Sequence, residues 1–472
     1  MDACHCKEHS RAAILRQAAA ASAAGAGAGL RAIEPGMPLP AGTGLSRRSF
    51  LARSTGLALA VFGGSALAPR AYERGIADAM AAARQNTVLV SVFLDGGLDT
   101  LSLLAPVDDP TYQTLRPTLK LAPNPALTFA GDPQLQWHGA AAPLKTLHEQ
   151  NRMTVIPAIG YSSPNQSHFT SRHFYEVGEL NESGQVGWLG RWLDRNGRPD
   201  NPLQGLSLDT TLAPALAAAQ MPVAAVSSPT NYALSTDGVG TTVKTSMNST
   251  YGVLGRLPTS DPSVRQARGA ASQVVGIQES LAALYGKTIT DTPAAAVYPA
   301  NSGFANKLRA LAKMLHMGLP IRCVAIDGNG GYDTHENQAT TLTNNLTQLS
   351  QALAAFQADL EGRMEGATPL ADRVLVHVWS EFGRRPAENG SGTDHGAAGA
   401  SLVMGSTATI GKGLEGEFTG VATLDRQQNL RNSTDFRSVY KTLLEDWLGG
   451  DIDGVLPNAS QFSNLGFLKQ VA

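Results

Sequence analysis

Acidic and imidazole side chains recur in four short runs of this chain, each beside glycine or proline. The first is Leu94-Asp95-Gly96-Gly97-Leu98-Asp99-Thr100. Two glycines let the backbone turn away at once and leave the Asp95 carboxylate at the mouth of the turn. A capping or turn-forming Asp is the plainer use of the same residues. The second run is Ser163-Pro164-Asn165-Gln166-Ser167-His168-Phe169, in which proline and polar residues precede a helical pattern and mark a helix start. A Ser167 hydroxyl at that start meets the positive end of the helix dipole and its free N–H groups. That suits a nucleophile for an anionic ester, or the anion itself. Serine is also a preferred N-cap, and the two uses are compatible. His168 and His173 are open to either reading, as ligands or as core and cap residues.

The third run is Gly330-Gly331-Tyr332-Asp333-Thr334-His335-Glu336-Asn337. Asp333 and His335, two apart, put a carboxylate oxygen and an imidazole nitrogen on one side of a loop, a donor set for a divalent cation of borderline softness. A hydrogen-bonded Asp–His pair is the alternative. The fourth run is Ser380-Glu381-Phe382-Gly383-Arg384-Arg385-Pro386, followed by Thr393-Asp394-His395-Gly396. Arg384 is placed either to pair with Glu381 or to hold a substrate oxyanion. Neither standard glycine-rich phosphate loop is present, since Asp327-Gly328-Asn329-Gly330-Gly331 lacks the lysine and the spacing. The G-x-S-x-G elbow of serine esterases is also missing.

The elements that must carry these runs alternate in type. Thr87–Leu94, Met153–Ile159, Pro222–Val226, Ile321–Ile326, Arg373–Trp379 and Ser401–Met404 are short apolar stretches ending in glycine, acidic or polar residues, as buried parallel strands do. Helical patterns cover His168–Glu179, Val264–Tyr285, Phe304–Met317, Leu342–Met364 and Asp435–Leu448. Such alternation predicts a mostly parallel sheet covered on both faces, with its site beyond the carboxyl ends of the strands. Pro-, Asn- and Ser-rich segments near 105–150 and 227–262 are expected as insertions or caps over the sheet edge.

Composition excludes some functions. Lys and Arg number 37 against 39 acidic residues, so the chain lacks the basic excess that tracking nucleic acid requires. Three cysteines cannot build a disulfide framework. Residues 1–44 are low in complexity and read as a disordered leader; Cys4-His5-Cys6 lies within it. Over 45–70, Ser46-Arg47-Arg48-Ser49-Phe50-Leu51 precedes an apolar stretch from about Thr55 to Ala68, too short for a comfortable membrane span. This string resembles a twin-arginine export signal, with Ala66-Leu67-Ala68 or Gly64-Ser65-Ala66 as cleavage motifs. The resemblance implies the twin-arginine translocase as partner, a periplasmic or secreted location, no stable membrane span in the mature chain, and Cys323 as its one thiol.

Taken in order, the export string and the four runs resemble the DUF1501 family of exported bacterial proteins, over roughly residues 85 to 450. That family is similar to the alkaline phosphatase and sulfatase superfamily. The resemblance implies a three-layer α/β/α sandwich with a mostly parallel central sheet, formed by a single domain over 71–472. It implies one or two divalent metals (Zn, Mn, Mg or Ca) at the strand ends. Asp95, Asp333, His335, Glu381 and His395 would take the ligand roles. Asp394 would bind directly or orient His395. Ser167 would be the nucleophile, with Arg384 offsetting charge on the transferring group. The expected activity is metal-assisted hydrolysis of a small phosphate or sulfate ester. Glu381-Phe382 stands where the superfamily carries Asp-His, so one imidazole is missing from the pattern. A catalytically silent binding or assembly protein on the same fold is the rival reading, and a metal-independent serine hydrolase a third.

Overall fold

The structure is a computed structural model that describes residues 61–62, 87–232 and 240–469. Both the leader and the twin-arginine string fall outside these residues. Of the apolar stretch that follows, only Val61–Phe62 is described. Its backbone pairs antiparallel with Val223–Ala224.

The central strands are β1 (Val61–Phe62), β2 (Val88–Phe93), β3 (Met153–Gly160), β4 (Gly205–Ser207), β5 (Val223–Ala225), β6 (Cys323–Asp327) and β7 (Val374–Trp379). A hairpin of β8 (Arg384–Glu388) and β9 (Thr393–His395) follows, then β10 (Gly399–Met404) and β11 (Thr434–Asp435). All but the hairpin form one sheet in the order β1-β5-β4-β6-β2-β7-β10-β3-β11. Between β5 and β7 every ladder is parallel, and β11 is parallel to β3. β10 runs against both its neighbours, β7 and β3. Its beginning, not its end, therefore faces the site. Gly405, which the sequence presented as another strand-end glycine, lies at the far edge.

The principal helices are α1 (Ala142–Glu149), α2 (His168–Val177), α3 (Trp188–Asn196), α4 (Thr241–Gly255), α5 (Pro262–Leu281), α6 (Gly303–His316), α7 (Gln338–Gly362) and α8 (Phe436–Leu443). Strand residues alternate between two cores, as a period of two requires. Val88, Val90, Val92, Val324, Val376 and Val378 pack with Leu308, Leu311, Leu315, Leu346, Leu349 and Leu353 from α6 and α7. Leu89, Phe93, Cys323, Leu375 and Trp379 face the other way, against Phe174, Tyr175, Trp188, Val439 and Tyr440. Helices thus cover both faces of a mostly parallel sheet, an α/β architecture. The 105–150 segment contributes Phe129, Leu135, Trp137, Leu144 and Leu147 to the first core. It is a packed part of that layer. Among the described residues no helix is long and apolar enough to cross a membrane. Cys323 is buried, and burial pushes its thiol up to about 12.

Candidate metal centre at the strand ends

Two of the sequence runs interlock. After β2 the chain turns through Gly96 and Gly97, both at positive φ (114° and 84°). A Cβ on Gly96 would lie 2.2 Å from the Asp333 nitrogen, so glycine is what lets these two loops meet. The turn aims two N–H groups at the residues following β7. Gly96 donates to Glu381 Oε1 (2.9 Å) and Gly97 to Glu381 Oε2 (3.2 Å). Ser380 Oγ accepts from the Gly97 and Leu98 N–H groups and donates to the Leu94 carbonyl (2.6 Å).

Glu381 also accepts from His168 Nδ1 at 2.7 Å, and its side chain is fully buried. Burial raises this carboxyl, but the bonds from His168 and the turn hold it below the usual range. Its oxygens are therefore occupied in orienting His168. That position lies behind the pocket, where the resemblance implied a metal ligand. His168 opens α2, whose start is fixed by a relay: Tyr161 donates to Ser171 Oγ (2.8 Å), which donates to the Glu381 carbonyl (2.5 Å).

The donor atoms converge on the other side of His168. Asp333 Oδ1 lies 2.9 Å from His335 Nε2 and 3.2 Å from His395 Nε2, and those two nitrogens are 3.2 Å apart. His168 Nε2 stands 3.5 Å from Asp333 Oδ2, an ion-pair distance beyond a good hydrogen bond, and finds no hydrogen-bond partner among the described residues. One donor atom each from His168, Asp333 and His395 falls within 4.8 Å of the others. Donors bonded to one ion at about 2.0–2.2 Å stand roughly 3–3.5 Å apart, so the spacing fits a metal.

The outer ring nitrogens have partners of their own. His395 Nδ1 is 2.8 Å from the Gln166 carbonyl, and His335 Nδ1 is 3.3 Å from Asp394 Oδ1. With Nδ1–H turned outward on both rings, each Nε2 would turn a lone pair inward. That arrangement would suit a cation between the two lone pairs and the carboxylate oxygen. Second partners of this kind are how proteins orient ligating histidines. Asp394 orients His335, whereas the sequence had paired it with His395.

Burial raises Asp333, but His168, His335 and His395 hold its carboxyl far below the carboxylate range. Burial opposes charge on His168, yet Asp333 and Glu381 outweigh it and lift the imidazole to about 10. Burial lowers His395.

Arg384, the expected oxyanion clamp, has no free donor face. It donates to Asp333 Oδ1 (3.0 Å), the Gly96 carbonyl (3.1 Å), Thr393 Oγ (3.2 Å) and the Thr393 carbonyl, and its side chain is fully buried. It holds Asp333 in place from behind. Asp95 lies beside the pocket, 3.9 Å from Arg172, outside the converging donors. Burial, then the charge of Glu381, pushes its carboxyl up to about 6. Ser167 occupies the N-cap position of α2 without capping it. Its N–H donates to Asn165 Oδ1 (2.8 Å), while its Oγ is buried without a partner among the described residues.

The fold and site together define an α/β protein with an imidazole–carboxylate pocket beyond its strand ends. The chain belongs to the DUF1501 family: that family's model, described as a protein of unknown function, matches residues 176–444. The matched span contains Asp333, His335, Glu381, Arg384, Asp394 and His395. Asp95, Ser167 and His168 precede it. No curated protein matches the sequence.

Proposed function

We propose that this chain is a metal-dependent hydrolase of phosphate or sulfate esters, on a framework similar to the alkaline phosphatase and sulfatase superfamily. The observation that carries the reading is the convergence of Asp333, His335 and His395, with His168 adjoining, on one point. A divalent metal held there would act as a Lewis acid on an ester oxygen. Glu381, Asp394 and the Gln166 carbonyl keep the three rings aimed inward. The first turn of α2 presents free N–H groups to an anionic ester. Ser167, whose hydroxyl has no partner among the described residues, would attack it from that turn. Asp95, whose carboxyl burial pushes up to about 6, would take the Ser167 proton and pass it to the departing alcohol, and water would then cleave the seryl ester to release the anion.

The test is metal content by elemental analysis together with turnover of aryl phosphates and sulfates, for the parent, Asp333→Asn and His395→Ala. The reading requires a metal in the parent, lost with activity in both variants. A parent that binds metal but turns over no ester supports the second reading, a silent binding protein. The observation favouring it is Phe382, whose ring lies 4.9 Å from His168 and from His395 where the superfamily carries an imidazole. Ester substrate would meet the protein after export by the twin-arginine translocase. Arg47→Lys with Arg48→Lys would then leave the chain in the cytoplasmic fraction, and unchanged export would reject that route.

A further inference from the structure

Gln338, the first residue of α7, has a fully buried side chain with every polar valence used. Its Oε1 accepts from Thr393 Oγ at 2.7 Å and lies 3.1 Å from Thr334 Oγ. Its Nε2 donates to Asp99 Oδ2 at 2.5 Å and reaches Ser102 Oγ at 3.3 Å. An ionised carboxylate only accepts, so Asp99 allows the amide one orientation. Asp99 is itself fixed by Arg116 (2.5 and 3.0 Å), which also donates to the carbonyls of Arg385 and Pro386 (2.9 and 2.6 Å). The backbone adds two ties: Gln338 N–H to the Ser391 carbonyl (2.8 Å) and Thr393 N–H to the Thr334 carbonyl (3.0 Å).

Thr334 sits between Asp333 and His335, and Thr393 is two residues before His395. One amide therefore bridges the two segments that carry three of the converging donors. It anchors both to a buried ion pair that cannot shift cheaply, because breaking such a pair costs about 3–5 kcal/mol.

We propose that Gln338 is a positioning residue for the cation pocket: it sets the distance between the Asp333–His335 loop and the His395 hairpin, and so tunes ion affinity without touching the ion. This rests on the metal reading above. Outer partners of this type tune metal affinity by about 10- to 100-fold.

The test uses the full chain with Gln338→Met, which keeps the length and removes the hydrogen bonds. Gln204→Met is the matched control. Gln204 is also buried and saturated, by Arg198 N–H (2.6 Å) and by the carbonyls of Arg198 and Pro222 (2.9 and 3.1 Å), but it sits at the opposite end of the sheet, where β4 begins. Co2+ and Zn2+ affinities are measured by chelator competition, with the Co2+ visible spectrum and Tm alongside. Both variants should lose Tm. Only Gln338→Met should weaken Co2+ binding, by about 10- to 100-fold, and change the spectrum. Thr393→Val, which removes one hydroxyl, should fall between Gln338→Met and the parent and serves if Gln338→Met does not fold. Parent-like affinity in the Gln338 and Thr393 variants, or an equal loss in Gln204→Met, overturns the positioning role alone. A parent that takes up neither ion overturns the metal reading and this proposal together.

Discussion

Replacing Glu381 by Gln separates an orienting carboxylate from a ligating one. In the parent, Oε1 accepts from the Gly96 N–H and His168 Nδ1, and Oε2 from the Gly97 N–H. Glutamine offers one oxygen. With that oxygen kept on Gly96 and His168, its amino group faces the Gly97 N–H, and both donors must share Ser380 Oγ, 3.1 Å from the Gly97 nitrogen and 2.9 Å from the Oε2 position. One bond from the Gly97 N–H is lost at about 0.5–1.5 kcal/mol, and the His168 bond weakens from charge-assisted to neutral, so the loss totals roughly 1–3 kcal/mol. Zn2+ affinity should fall by about 10- to 100-fold as the ring loses its anchor, with binding still one ion per chain. Urea unfolding of the metal-free protein reads the first quantity, and chelator competition the second. Unchanged stability with unchanged affinity would refute the argument. Complete loss of binding would refute it in the other direction and make Glu381 a ligand.

Two further outcomes are expected. His377, inside β7 with Ser401 Oγ (3.0 Å) as its one hydrogen-bond partner among the described residues, is held by burial down at about 3 against an ordinary value of 6.5. It is neutral in the fold, so its stabilising share is complete above pH 6.5 and is lost as pH falls toward 3. Going from pH 7 to 5 should cost roughly 2 kcal/mol through this group. In His377→Leu the urea midpoint should depend less on pH over that range, and identical slopes would reject the assignment. Gly97→Ala adds a Cβ 2.7 Å from the Phe382 ring at a φ of 84°. Backbone strain and crowding together should destabilise by roughly 2–5 kcal/mol in urea unfolding; a loss within experimental error would show that the turn relaxes freely.

Much of this arrangement could be read from residue types. Val88–Phe93 and Val374–Trp379 are continuously apolar because both faces are covered, and that alone marks central parallel strands. Asp333, His335 and His395 stood out because polar side chains after such strands have one open edge to occupy. Other features had no local signal. β4 is three residues long and is made a strand by its neighbours β5 and β6. The reversed direction of β10 follows from the short β8–β9 hairpin before it, whose length suits an antiparallel return. Glu381 and Arg384 look like surface-facing site residues in sequence. Whether a polar side chain after a strand points into the pocket or behind it depends on partners nearly 300 positions away. His168 was in view as a possible ligand, and its place as the first residue of a helix beside Ser167 was the clue to its inward ring.

The interlock between Gly96 and Glu381 joins residues 285 positions apart, and His168 meets Glu381 across 213. Contacts so distant along the chain form only after long loops have closed, which makes them slow to nucleate. β2 and β7 pair across the same span, Val88 with Val374, so the pocket closes together with the centre of the sheet. A chain in which β2 and β7 have not yet met would lack the pocket altogether.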